Sequence, residues 1–447
     1  MIKRTAISTD WYKSMEFAAK EREQDKIIRN SILNVGLDEA ALDHSAKSLQ
    51  QHTFSLELKT GDITSQMKSG RCWLFAGLNT MRFRVMKKLK LKNFELSQSY
   101  AMFFDKLEKA NYFLENILET LDEATDSRLI MWLLDAPLQD GGQWDMFTAL
   151  IEKYGVVPKA VMPETFSSSN TARMNSILTL TLRGFAKELR EASSKGGLEE
   201  KLQVRKKEMM DEFYRLLTLF LGIPPTEFDF EYVDKDKDYH ADRKLTAKAF
   251  YDKYVDMDLS NYISIINAPT QNKPFNKTFT VQYLGNVEGG NPVKYLNLDM
   301  KTFKALAIKQ LKDKDPVWFG SDVGKKMKRE EGILDENVYA YEQALATQFK
   351  LDKADRLDYG DSLMTHAMVL TGVNLIDEKP NRWKVENSWG DKNGNKGYFV
   401  MSDAWFDQYV YQIVIDKKYL SPELLEAWDT KPIELKPWDP MGSLAKG

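Results

Sequence analysis

From Cys72 to Leu89 the chain repeats apolar residues at three- and four-residue steps: Leu74, Phe75, Leu78, Met81, Phe83, Val85 and Leu89. That period predicts a helix with Cys72 in its first turn, preceded by Ser69 and Gly70 as turn and capping residues. Arg82, Arg84, Lys87, Lys88 and Lys90 crowd its far end, where the helix dipole favours cations. A second helix is predicted over 97–121, with Tyr100, Phe103, Phe104, Leu107, Tyr112, Phe113 and Ile117 along one side. Asp140-Gly141-Gly142 reads as a loop, and Gly155 with Pro158 as another break. Residues 166–255 are charged and helix-like, and runs such as Lys206-Lys207-Glu208 read as solvated faces.

The pattern changes near Tyr262. From there to Leu298 β-branched and aromatic residues dominate, with turns at Asn272-Lys273-Pro274 and Gly289-Gly290. A helix over 302–311 leads to a short apolar strand, Val317-Trp318-Phe319-Gly320, and further strands are predicted at 366–373, 382–385 and 397–401. Helices early and strands late predict an α+β protein with a helical lobe and a sheet lobe. The expected divisions are 1–59, an N-terminal extension ending in a first strand at 53–58, and 60–165, the helical lobe. An inserted helical and hairpin domain follows at 166–298, then a β lobe at 299–430 and a C-terminal arm at 431–447.

The length of 447 residues allows roughly three domains. Sixty-three basic against 66 acidic residues leave a formal charge of −3, which gives no bulk attraction to nucleic acid or anionic lipid. The richest apolar stretch, Leu216 to Ile223, is too short to span a membrane, and residues 1–24 lack the apolar core of a secretory signal. Cys72 is the single cysteine, so an intramolecular disulfide is impossible, as suits a reducing cytoplasm.

A lone thiol is usually a small buried hydrophobe. Here it lies at a predicted helix N-terminus, where unpaired N–H groups and the dipole favour the thiolate. Of the four histidines, His44, His52 and His240 sit in polar or charged stretches, whereas His366 starts a strand and is available as a base. Val385-Glu386-Asn387-Ser388-Trp389-Gly390 can supply an amide to orient the imidazole. The scattered histidines and single cysteine give no metal-ligand spacing, and neither metal nor cofactor is expected.

Ser69-Gly70-Arg71-Cys72-Trp73, with Gln66 six residues before the thiol, resembles the nucleophile segment of papain-type cysteine peptidases. Leu96-Ser97-Gln98, Gly141-Gly142, His366-Ala367 and Asn387-Ser388-Trp389-Gly390 follow in that family's order. Asp140-Gly141-Gly142-Gln143-Trp144-Asp145-Met146, Leu363-Met364-Thr365-His366-Ala367-Met368 and Trp438-Asp439-Pro440-Met441-Gly442 are similar to the bleomycin hydrolase and aminopeptidase C branch. Singly these residues have ordinary readings: Gln66 as a surface residue, the glycines as a turn, Trp144 and Trp389 as core aromatics. Jointly, in this order, they carry the resemblance over nearly the whole chain.

The resemblance implies a papain-like two-lobe fold and a Cys72–His366–Asn387 acyl-enzyme mechanism. It further implies an oxyanion hole using Gln66, substrate backbone along Gly141 and Gly142, and Trp389 shielding the His366–Asn387 bond. Two features depart from papain itself. Ser69 replaces a second cysteine, and His366 lies 294 residues after Cys72 (366 − 72), against roughly 130–150. In the branch resembled, the C-terminal arm enters the cleft and its carboxylate, near the position of Ala445, meets the substrate's α-amine. Lys446 and Gly447 extend beyond that point and displace the carboxylate by up to about 7 Å. A peptide-cleaving aminopeptidase, homohexameric by resemblance, is therefore expected. The alternatives are an endopeptidase with an altered arm, a Cys-dependent acyltransferase, and a nucleic-acid- or protein-binding assembly with an incidental peptidase site.

Overall fold

The computed structural model describes residues 4–49, 51–196 and 198–443. The cysteine helix spans Cys72–Lys88 and is buried on nearly all sides, not along one stripe. It packs between the helices Gln98–Glu119 and Trp144–Tyr154 on one flank and the strand His366–Ile376 on the other. This central position is the reason its apolar residues fall at mixed spacings.

The helical lobe is a layer in which Gln98–Glu119 packs against the long helices Ala172–Ser194 and Glu199–Leu221. Ser97 caps the first of these, its hydroxyl accepting from Tyr100 N at 3.0 Å. The span 166–255 is not helical throughout: Phe228–Val233 and Tyr239–Leu245 form an antiparallel hairpin. The aromatic alternation of Phe228, Phe230 and Tyr232 accounts for the strand within the charged block.

Among the described residues, a twelve-stranded, mainly antiparallel sheet forms the other lobe. Strand His366–Ile376 lies inside it, between Val317–Ser321 and Lys379–Glu386, with Leu56–Glu57 pairing its far end. The strands Tyr262–Ile266, Lys277–Val281 and Tyr295–Asn297 are hydrogen-bonded into the same sheet beside Val410–Asp416. The two-lobe α+β, papain-like expectation holds. Trp73, Trp144 and Trp318 meet where the lobes join; Trp318 Nε1 donates to Trp73 O at 3.3 Å, and the Trp144 and Trp318 rings lie 6.1 Å apart. Trp144 is thus a core aromatic.

Two basic residues of the cysteine helix serve differently from the expected dipole pairing. Arg82 is buried and donates to Glu386 Oε1 at 2.7 Å and to Asp62 O at 2.8 Å. Arg84 donates to Tyr262 Oη at 2.6 Å. They sit before the last turn, facing the sheet, so carboxylate and phenol partners from that lobe replace solvent.

The Arg82–Glu386 pair ties the helix to the residue before Asn387. Removing one partner strands a buried charge, so Arg82→Met is expected to lose about 3–5 kcal/mol of stability. The double change Arg82→Met with Glu386→Leu is expected to recover most of that loss. Denaturant midpoints measure both; a single-variant loss below about 1 kcal/mol would rule out the pair as a tie.

Candidate active site

Arg71 occupies the N-cap of the cysteine helix, and no side chain caps it. Its first-turn N–H groups are therefore left for the sulfur and for a ligand. Ser69 turns away from the expected capping role: its hydroxyl donates to Gln66 O at 2.6 Å and accepts from Arg71 Nε at 2.9 Å. The turn is fixed instead by Asp140. One carboxylate oxygen accepts from Gly70 N at 2.9 Å and Thr171 Oγ1 at 2.5 Å. The other accepts from Lys106 Nζ and Asn175 Nδ2, both at 2.7 Å. Burial acts to raise the Asp140 pKa, but the Lys106 charge and these hydrogen bonds outweigh it and hold the carboxyl well below the usual range.

The same residue shapes the glycine loop. Asp140 O accepts from Trp73 Nε1 at 2.6 Å, and Lys109 Nζ reaches the carbonyls of Gln139 at 3.0 Å and Gly141 at 2.6 Å. Gly142 sits on the Trp73 ring so closely that a Cβ there would lie 2.5 Å from the indole. Both glycines are buried. Lys106 and Lys109 interrupt the apolar stripe of their helix at Phe103, Ala110 and Phe113, and that interruption is the sequence signal of their role.

Across the lobe boundary, Cys72 Sγ accepts from Ala367 N at 3.4 Å, which sets the thiol against the first residues of the His366 strand. His366 Nε2 lies 2.9 Å from Asn387 Oδ1. That oxygen also accepts from Ser388 N at 2.8 Å, which fixes the orientation of the amide. Since Oδ1 can only accept, Nε2 must carry the proton, and Nδ1 is left as the basic nitrogen. Trp389 covers the imidazole at 4.8 Å between ring centroids, and the Arg329 guanidinium lies over the Trp389 ring, 4.3 Å from its centroid.

Gln66 is anchored from both sides of the cleft. Its Nε2 donates to Ser69 O at 2.5 Å and its Oε1 accepts from Ser388 Oγ at 2.7 Å. Gln66 N donates to Ser388 O at 2.8 Å and Gly390 N to Thr64 O at 3.0 Å. The nucleophile loop and the asparagine loop are thus stitched together like two short strands. An amide NH2 carries two hydrogens, and only one is needed for Ser69.

Burial controls the charges. It pushes the Cys72 thiol up to about 12, against the lowering effect of the Ala367 and Trp73 N–H groups. It pushes the His366 imidazole down to about 4, with the Asn387 hydrogen bond opposing and Arg329 reinforcing. Each charge alone is disfavoured. Transfer of one proton from sulfur to Nδ1 would create both together, so that their mutual attraction opposes the burial cost.

Cys72, His366, Asn387, Gln66 and Trp389 are brought together. Gly141 and Gly142 lie on the flanking loop, and the C-terminal arm reaches it: Gln143 Nε2 donates to Ser443 O at 2.9 Å. A cavity of about 470 Å³ runs beside the arm, bounded by Lys109, Gln139, Trp132, Trp438 and Ser443. Ala445, Lys446 and Gly447 lie outside the described residues. No group of three or more potential metal-ligating side chains is found among the described residues. The roles of Asp140, Lys106, Lys109, Ser388 and Arg329 were not anticipated from sequence.

A buried thiol at a helix N-terminus, a histidine oriented by an asparagine, and two lobes meeting at that point define a papain-like cysteine peptidase. The profile of the Peptidase C1-like family matches residues 6–442, and the chain belongs to that family. Aminopeptidase C of Listeria innocua serovar 6a is 52% identical over 445 residues, 99% of each chain. Aminopeptidase G of Lactobacillus delbrueckii subsp. lactis is 43% identical over 416 residues, 93% of this chain and 94% of the relative. The crystal structure of PepW from Lactobacillus rhamnosis HN001 superposes with a TM-score of 0.97 at 52% identity, covering 99% of this chain and all of that one.

If the thiolate depends on its partner, His366→Ala should leave Cys72 close to its burial-raised state. Iodoacetamide alkylation near pH 7 is then expected to fall by on the order of 100-fold. The residual rate should rise steadily with pH, because alkylation follows the thiolate fraction. Mass spectrometry of Cys72 reads this directly; unchanged alkylation at neutral pH would show that the helix N-terminus alone creates the thiolate.

Proposed function

We propose that this protein is a cytoplasmic cysteine aminopeptidase that removes residues from the amino ends of peptides. Cys72 passes its proton to His366 Nδ1 and attacks the scissile carbonyl. The tetrahedral oxyanion is held by the Gln66 amide and the Cys72 backbone N–H, which are in place before charge develops. His366 returns the proton to the leaving amine, leaving a thioester; water, deprotonated by the same imidazole, then hydrolyses it. Asn387 keeps the proton on Nε2 throughout, and Trp389 shields that bond from water. No cofactor enters these steps.

The exopeptidase half of this reading rests chiefly on one observation: the arm, followed to Ser443, is hydrogen-bonded to the residue immediately after Gly141-Gly142. Substrate backbone along those glycines meets the arm, and a carboxylate near Ala445 offers the α-ammonium its counter-charge. The names of the relatives point the same way. Cytoplasmic residence is supported by the single cysteine, which leaves the chain with no disulfide of its own. No described helix is long and apolar enough to cross a membrane.

Assembly into a homo-oligomer, a hexamer by family resemblance, is supported by the N-terminal helices. Thr9–Glu21 and Gln24–Val35 bury no residue within the chain, although they carry Trp11, Tyr12, Phe17, Ile27 and Leu33. Such a face is suited to a second copy.

Cys72→Ala is expected to abolish hydrolysis, a loss of at least about 10⁴-fold in kcat, with the melting temperature nearly unchanged. The parent protein should cleave aminoacyl reporters with a free α-amine and leave their N-acetylated counterparts intact. Turnover by the alanine variant would remove Cys72 as the nucleophile; preference for blocked substrates would establish an endopeptidase instead.

A further inference from the structure

The C-terminal arm is fastened to the sheet lobe by a buried ion pair that no chemical step uses. Lys273 Nζ lies 3.0 Å from Asp439 Oδ2, with side-chain exposures of 1% and 8%. Lys273 also reaches Thr270 Oγ1 at 3.2 Å and Asn272 Oδ1 at 3.1 Å. Its loop is braced from behind by Asn297, whose amide donates to Lys273 O at 2.6 Å and Ala268 O at 3.0 Å. The cation therefore sits on a preformed platform, and Asp439 is the carboxylate that neutralises it.

The pair begins a regular series of anchors. Asp439 caps the short turn Pro440–Gly442 by accepting from Met441 N at 2.9 Å. Tyr295 Oη then donates to Met441 O at 3.1 Å, and Gln143 Nε2 to Ser443 O at 2.9 Å. Residues 439, 441 and 443 are thus each gripped, the first two by the sheet lobe and the third beside the glycine loop. A buried ion pair adds little net stability over apolar packing, but it penalises every arrangement that separates its charges. A one-residue slip moves the end of the arm by about 2 Å through the tight turn and by about 3.4 Å where the chain is extended, enough in either case to break a hydrogen bond or a contact between charges.

We propose that Lys273 and Tyr295 are positioning residues that set the register of the C-terminal arm, and through it the preference for a free α-amine. This rests on the arm acting as the exopeptidase stop.

The test compares the full chain, a chain ending at Ser443, Lys273→Gln, Asp439→Asn and Tyr295→Phe. For each, kcat/KM is measured on a free-amine aminoacyl reporter and on its N-acetylated form, well below the melting temperature. Truncation is expected to raise the blocked-to-free ratio. Lys273→Gln and Asp439→Asn are expected to raise it by about tenfold, mainly through a higher KM for the free amine, and Tyr295→Phe by less. A merely structural role would lower both rates together and leave the ratio alone. If truncation raises the ratio while all three anchor variants keep the parent value, the proposal is overturned and the arm reading stands. If truncation leaves the ratio unchanged, the arm reading falls and takes the proposal with it. Should either charge variant fail to fold, Tyr295→Phe, which removes a single hydroxyl, decides the matter.

Discussion

A carboxylate buried on the helical side of the nucleophile turn must collect partners from wherever the fold can supply them, and Asp140 organises the candidate active site through that requirement. Its charge is met by Lys106 from one helix, Thr171 and Asn175 from the start of another, and the N–H of Gly70 two residues before the nucleophile. Its carbonyl holds the Trp73 indole, whose ring in turn forbids any side chain at position 142. The turn before Cys72, the Gly141-Gly142 loop and the helical lobe are thereby fixed to a single point. Lys106 pays for none of this in solvent: it is fully buried, so neither member of the pair can leave without exposing the other to a low dielectric.

The second constraint is the dryness of the catalytic pair. Burial that drives the thiol towards about 12 and the imidazole towards about 4 looks hostile to a thiolate mechanism. It favours a coupled one. Burial disfavours ionisation of either group alone, which favours passing the sulfur's proton to Nδ1. Asn387 makes this directional by holding Nε2 protonated, and the stitch between Gln66 and Ser388 keeps the proposed oxyanion donors in register with the imidazole. The chemistry therefore depends on loop–loop pairing as much as on the triad.

Much of the candidate site was legible in sequence because reactive side chains carry chemistry that their neighbours declare. Motif order singles out Cys72, His366, Asn387, Gln66 and Trp389, and the fold brings them together. It does not single out the partners of Asp140, since a lysine inside a helix normally reads as solvated; only its place in an apolar stripe hinted otherwise. Arg82 was misplaced for a similar reason, because a dipole argument sees the helix end but not the sheet facing it. The hairpin at 228–245 was hidden by charged residues on its exposed face, where the strand period shows only in every second residue.

The long interval between nucleophile and base is best understood by what it delivers. Thr171 and Asn175 stand at the start of the helix Ala172–Ser194 within that interval, and both bind Asp140, so the block is tied to the nucleophile turn. Farther along, Lys273 and Tyr295 belong to strands and turns that complete the sheet, and both hold the C-terminal arm. One segment therefore supports the catalytic loop from the helical side and the arm from the sheet side. A compact two-lobe peptidase needs neither service to break a peptide bond. On the proposed reading, in which the arm stops the substrate, both are needed: a rigid nucleophile and a rigid stop, each referenced to the same framework. The extra residues supply that common reference.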